Sequence, residues 1–323
     1  MRPSRPPARD ARSKVAMTTR ILVTGAAGLL GRAMVRVLSQ RGDVLALGGR
    51  HARPGMLTGD LTDPAFLSGL EREDWDAVVH CAAFRSPDFC ESNRETADRL
   101  NTGVPMALAQ AARRRRARLV HVSTDYVFDG AHPPYSETDL CRPVNYYGVT
   151  KRKAEEGIQD VYPEALIMRI GALFAVPEPG TPSPFLEEAI TTVLSRNPVE
   201  VDDQIRRYPL LTDEVAEVAA FLLGTPRAQG IVHVGSAQGV TRYEWTLRVA
   251  RLLGRPAAHI RPTLSPFPLP AVRPTDVCLA TARLAGWGGP VPRNVDVTLP
   301  EVVARSGQII ATLEKKLSEV ESA

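Results

Sequence analysis

The run ILVTGAAGLLG, from Ile21 to Gly31, constrains the fold more than any other segment of the chain. A β-branched stretch ends at Gly25 and passes into an apolar helical stripe of Leu30, Met34, Val37 and Leu38. Gly25, Gly28 and Gly31 therefore fall on a strand-to-helix turn. Gly25 permits the tight turn, Gly28 lets backbone amides approach a pyrophosphate, and Gly31 allows close helix–strand packing. The unpaired N–H groups of the first helical turn, at Leu29 and Leu30, offer a partial positive charge to phosphates. A ligand-free turn would use the same residues, but the place directly after the first strand favours a dinucleotide.

Strand and helix patterns alternate from Arg20 onward. Apolar runs at Val44–Leu47, Ala77–His80, Leu119–Ser123 and Ala165–Ile170 are separated by helical patterns near Pro64–Arg72 and Asp88–Arg116 and from Tyr146. Strands apolar throughout belong to a parallel sheet covered on both faces. The expected class is α/β, a Rossmann-type doubly wound sheet with a smaller C-terminal substrate-binding domain. Residues 20–170 would form the dinucleotide-binding part, joined by 213–236, whose Ile231–Gly235 resembles one more sheet strand. Residues 171–212 and 237–323 would form the substrate-binding part. There the Pro-rich segment Arg261–Pro274 is expected to be a loop and Pro300–Leu317 a terminal amphipathic helix.

Composition excludes several alternatives. Of the formal net charge of +4, all lies in residues 1–19, where Arg2, Arg5, Arg9, Arg12 and Lys14 face Asp10 alone. This segment reads as a disordered basic tail rather than a nucleic-acid arm, and Met17 offers an alternative start. No apolar run is long enough to span a membrane. No apolar core follows the basic tail as a secretory signal would require, so a cytoplasmic protein is expected. Cys81, Cys90, Cys141 and Cys278 lie far apart, without zinc-like spacing, and read as reduced thiols; no metal is expected. RRRRAR (Arg113–Arg118) fits a solvated helix C-terminus better than a nucleic-acid surface.

The second strand ends in LGGRHARP, with Arg50, His51 and Arg53 and no acid. A carboxylate there would bond an adenosine 2′-hydroxyl, whereas guanidinium grips a 2′-phosphate, so NADP(H) is preferred and NAD(H) remains open. Asp60 and Leu61 follow where a further loop could meet the adenine. Tyr147 and Lys151 stand at i and i+4 on a helical pattern, so a phenol and an ammonium share one face. The ammonium and an oxidised nicotinamide are expected to lower the phenol's pKa. Ser123 and Thr124 end the preceding strand, where a hydroxyl could bond a substrate carbonyl while Tyr147 transfers a proton.

TGAAGLLG, GDLTDP, VVHCAA, Asn101, STDYVFDG, the Tyr147/Lys151 pair and RPTDVCL together resemble the extended short-chain dehydrogenase/reductases, within them the dTDP-4-dehydrorhamnose reductase branch. The resemblance covers about residues 20–285. It implies NAD(P)H-dependent reduction of a 4-keto group on a nucleotide-activated deoxysugar. Thr124 (with Ser123) would polarise the keto oxygen, Tyr147 would donate the proton, and Lys151 would hold the nicotinamide ribose. Cys81, Ala82 and Ala83 would line the cofactor. Asp125 would join Thr124 at the substrate, with Arg206, Arg207 and Arg273 at its diphosphate and Arg85 either at a phosphate or solvated. A homodimer would fit the family. Where that branch has a tryptophan over the sugar, MRIGALFA carries Ala172. DDQIRRYP and GGRHARP are similar to the methionine adenosyltransferase regulatory beta subunit, which shares the fold and binds NADP as a partner protein. That similarity implies the alternative of a non-catalytic NADP-binding regulatory subunit. His80 and His121 read as packed core or strand-end residues.

Overall fold

In chain order the strands are β1 (Arg20–Thr24), β2 (Asp43–Leu47), β3 (Ala77–His80), β4 (Arg118–Thr124), β5 (Leu166–Ile170), β6 (Leu173–Phe174), β7 (Val199–Asp202), β8 (Leu210–Leu211), β9 (Gly230–Val234) and β10 (Ile260–Thr263). They come from a computed structural model that describes residues 19–49, 52–178, 182–195, 197–265 and 268–321. The first five strands and β9 form one parallel sheet in the order β2-β1-β3-β4-β5-β9. The order reverses between β1 and β3, and in such sheets ligands sit beyond the strand C-termini at that reversal. The Rossmann-type class is thus observed.

The helices are α1 (Leu29–Leu38), α2 (Pro64–Leu70), α3 (Pro87–Ser92), α4 (Arg94–Asp98), α5 (Val104–Arg115), α6 (Tyr146–Val161), α7 (Pro184–Ser195), α8 (Thr212–Leu223), α9 (Arg242–Leu252), α10 (Ala282–Gly286), α11 (Val295–Ala304) and α12 (Gly307–Glu321). Alternating residues serve the two sheet faces. Ile21, Val23, Val79, Val120, Met168 and Val232 pack under α1 and α8, while Leu22, Val78, Leu119, Ile167 and Ile231 pack on the side of α5 and α6. A separate core gathers Phe174, Ile190, Trp245, Val249 and Leu299 from β6, α7, α9 and α11. No described helix is long and apolar enough to cross a membrane.

Two elements differ from the sequence expectation, and a third is refined. The helices expected around 88–116 are α3, α4 and α5, with a wide π-type turn at Arg99–Gly103. Asn93 leaves helical dihedrals (φ −132°, ψ 53°), and the wide turn precedes Pro105, which lacks an N–H and crowds the carbonyl four residues back. The Pro-rich segment is not all loop, since Ile260–Thr263 pairs in parallel with β7; Pro262 is tolerated because β10 is an edge strand. The expected terminal helix is two. Pro300 lies inside α11 without ending it, and the break comes at Arg305–Ser306, where the Ser306 hydroxyl bonds Val302 O at 2.7 Å.

One feature of the sheet prepares the site. On the α5/α6 face each strand except β2 ends on a polar residue: Thr24, His80, His121 with Ser123, Arg169 and His233. The register sets Thr24 beside His80, His80 beside His121, Ser123 beside Arg169, and Arg169 beside His233. This polar belt lies under α6, whose Tyr147, Lys151 and Glu155 share a face at i, i+4 and i+8.

Candidate active site

Gly25 takes φ +66°, and a Cβ there would lie 2.8 Å from Ala82 N. A Cβ on Gly31 would sit 2.0 Å from Gly25 O, so only glycine lets α1 start this close to β1. Gly28 is exposed and caps α1 without a side chain, leaving bare backbone at the helix N-terminus. This cradle fits the pyrophosphate of a dinucleotide. Leu29 is half-buried and Leu30 buried beside it. Cys81, Ala82 and Ala83 line the end of β3, with Cys81 N bonded to Thr24 O at 3.3 Å, and burial pushes the Cys81 thiol up to about 12. Asp60 is exposed and accepts from Thr62, whereas Leu61 is buried.

Arg50 and His51 lie outside the described residues, and Arg53 is exposed. Arg32, directly after Gly31, is a cation the sequence reading passed over. It pairs with Glu178 at 2.7 Å, feels the charge of Arg53, and keeps its Nε buried without a partner.

Thr124 and Tyr147 meet at the end of β4. Thr124 is buried; its hydroxyl donates to Asp125 Oδ1 at 3.0 Å, accepts from Tyr126 N at 3.2 Å, and acts on the nearby Tyr147 phenol. Asn145 caps α6 by accepting from Gly148 N at 3.0 Å, which fixes where Tyr147 begins its turn. Burial pushes the Tyr147 phenol upward, and Thr124 opposes it. The phenol thus lies above its ordinary value, and the main causes do not include Lys151. Its Nζ instead bonds Val122 O at 2.7 Å and His121 Nε2 at 3.0 Å, and burial brings it down to about 8.

Ser123 departs from expectation. Side chains alternate along a strand, so it turns away from Thr124 and donates to Glu155 Oε1 at 2.5 Å. Glu155 also takes two bonds from Arg169, at 2.9 and 2.7 Å, in a fully buried pair. Thr124 is the strand-end hydroxyl at the cleft.

The arginines assigned to the diphosphate are largely engaged. Arg207 is buried and donates to Pro274 O, Arg206 O and the Tyr126 hydroxyl, with its guanidinium 5.2 Å over the Tyr126 ring. Arg273 makes two bonds to Asp88, at 3.1 and 2.7 Å, and one to Ala271 O. Arg206 bonds Gly239 O and lies 3.7 Å from Glu244. Arg85 is exposed and makes no hydrogen bond or ion pair among the described residues. Asp125 is buried, with Oδ2 unpartnered, and is pushed up to about 6, mainly by burial. Tyr126, unremarked in the sequence, packs edge-on to Tyr147 at 5.9 Å and joins Arg207 to the site.

The arrangement at β4 offers one hydroxyl and one protonated phenol to a single oxygen, beside a cradle for phosphates. The chain is 36% identical over 278 residues to methionine adenosyltransferase 2 subunit beta of Danio rerio, covering 82% of this chain and 84% of that one. It is 35% identical over 274 residues to the "Probable dTDP-4,6-dihydroxy-2-methyloxan-3-one 4-ketoreductase" of Streptomyces antibioticus, covering 83% and 89%. A dTDP-4-dehydrorhamnose reductase from Clostridium acetobutylicum superposes with a TM-score of 0.79 at 27% identity, covering 88% of this chain and 99% of that one. The model of the RmlD substrate binding domain matches residues 19–307, and the chain belongs to that family.

Proposed function

We propose that this protein is an oxidoreductase that reduces a keto group, the 4-keto, on a nucleotide-activated deoxysugar, using NADP(H) in preference to NAD(H). The observation that carries the reading is the meeting of the buried Thr124 hydroxyl and the Tyr147 phenol at the end of β4, next to the glycine cradle. The Streptomyces relative points to the same reaction class. Gly25, Gly28, Gly31 and the amides opening α1 would hold the cofactor's pyrophosphate, with Arg50, His51 and Arg32 toward its adenosine phosphate. Held there, NADPH would supply the hydride for the ketone carbon. Turning from Asp125, the Thr124 hydroxyl would donate a hydrogen bond to the ketone oxygen, and Tyr147 would give that oxygen its phenolic proton as negative charge develops. A phenol pushed upward by burial stays protonated at neutral pH, which suits a proton donor and so the direction of reduction. Lys151, on the same helix face, would hold the nicotinamide ribose.

The second reading, an NADP-binding regulatory subunit without turnover, is favoured by the 36% identity to the zebrafish beta subunit. Cofactor oxidation with a panel of keto-sugar nucleotides separates the two. Tyr147→Phe should lower kcat/KM by about 10²–10⁴-fold while NADPH binding persists. A native protein that binds NADPH yet oxidises none with any keto-sugar would leave the regulatory reading.

A further inference from the structure

Lys151 is gripped from the sheet side. Its side chain is 2% exposed, and two of its three N–H groups are taken by His121 Nε2 and Val122 O. An ammonium donates and never accepts. His121 therefore receives with a bare Nε2 and carries its own proton on Nδ1, an atom buried without a partner. The ring cannot readily swing away. It stacks on His80 with centroids 5.3 Å apart and 23° between planes, and His80 Nδ1 lies 2.6 Å from Thr24 Oγ1. Thr24, His80 and His121 come from three adjacent strands in register. Burial and the Lys151 charge hold both imidazoles neutral, with His80 down to about 3 and His121 well below its usual range. The stack thus supplies an acceptor without adding a competing cation.

We infer that His121, braced by His80 and Thr24, is a positioning residue that fixes the Lys151 ammonium and leaves one N–H uncommitted for the cleft; this rests on the reductase reading above. The groups around the ammonium are His121 and the Val122 carbonyl from β4, His80 and the Cys81 thiol from β3 and its end, and Glu155 one turn further along α6. Cys81 and Glu155 favour the charged form, and burial opposes it. Removing the imidazole acceptor disfavours the ammonium, so Lys151 should lose its proton at lower pH.

The chain has five lysines, Lys14, Lys151, Lys153, Lys315 and Lys316, so NMR of the full protein labelled at lysine Cε can follow each, with Lys151→Met assigning the signal. Native Lys151 should titrate near pH 8. In His121→Leu it should titrate about one pH unit lower, and His121→Gln, which restores a carbonyl acceptor, should stay near native. If the leucine variant does not fold, His121→Phe carries the same comparison while keeping the ring. An unchanged Lys151 titration without the imidazole overturns the inference. The alkaline limb of the pH–rate profile should move with it. A shifted titration in a protein without turnover would refute the reductase reading and uphold the His121 contact. Turnover with an unshifted titration would do the reverse.

Discussion

Asp125 shows at the level of one side chain how burial writes pH dependence into this fold. Its carboxyl is pushed from the ordinary 3.8 up to about 6. An acid raised in this way binds its proton more tightly folded than unfolded. Its contribution to stability is therefore full below pH 3.8 and is lost as pH climbs through about 6. The span corresponds to about 3 kcal/mol. Asp125→Asn should gain stability relative to the native chain between pH 4 and pH 7, by about 1–3 kcal/mol in paired urea titrations. A native-to-variant difference that does not change with pH contradicts this. Thr124, Tyr147 and Lys151 are legible in the sequence because strand-end position and the i, i+4 spacing are local facts. The direction of the Tyr147 shift is not, because burial sets it and burial is a property of the fold. Where Lys151 is held is equally hidden: two strand histidines that read as packing settle it, and only the strand register puts them in contact.

Helix α6 owes its placement to the belt beneath it. Glu155 and Arg169 are fully buried and doubly bonded, with Ser123, His233 and Cys141 around them. Removing one partner strands a buried charge, so Glu155→Ala should destabilise by about 3–5 kcal/mol in chemical denaturation. Replacing both with apolar residues, as in Glu155→Leu with Arg169→Met, should cost less than the single change. A double variant weaker than Glu155→Ala would show that the pair contributes more than it costs to bury. The same length scale shows why the strands were readable and the helices only in part. Apolar runs bounded by glycine and polar residues mark β1, β3, β4 and β5 within one or two residues of their observed ends. The periodicity over 88–116 carries no trace of the break at Asn93, and α9 and the β7–β10 pair, which are held by tertiary packing around Trp245, left no clear pattern.

Across the molecule, segments far apart in the chain are joined around the candidate site by polar contacts. Arg207 reaches Tyr126 and Pro274, Asn145 Nδ2 donates to Val272 O at 2.8 Å, and Arg273 clasps Asp88. The segment before Pro274 is thereby pinned to the starts of α3 and α6. Arg273→Ala should speed amide exchange over residues 268–274 and raise KM for the sugar nucleotide more than it lowers kcat. Unaltered exchange there would show that Asn145 suffices alone. Residue types marked Arg273 as an anion binder; its anion in this structure is Asp88, from a helix some 180 positions earlier in the chain, and no local pattern carries that pairing. Arg273 is 14% exposed and Asp88 33%, so dissolved ions reach the clasp and weaken it. Brine therefore slackens the tie between this segment and the start of α3, so amide exchange over residues 268–274 should quicken as salt is added.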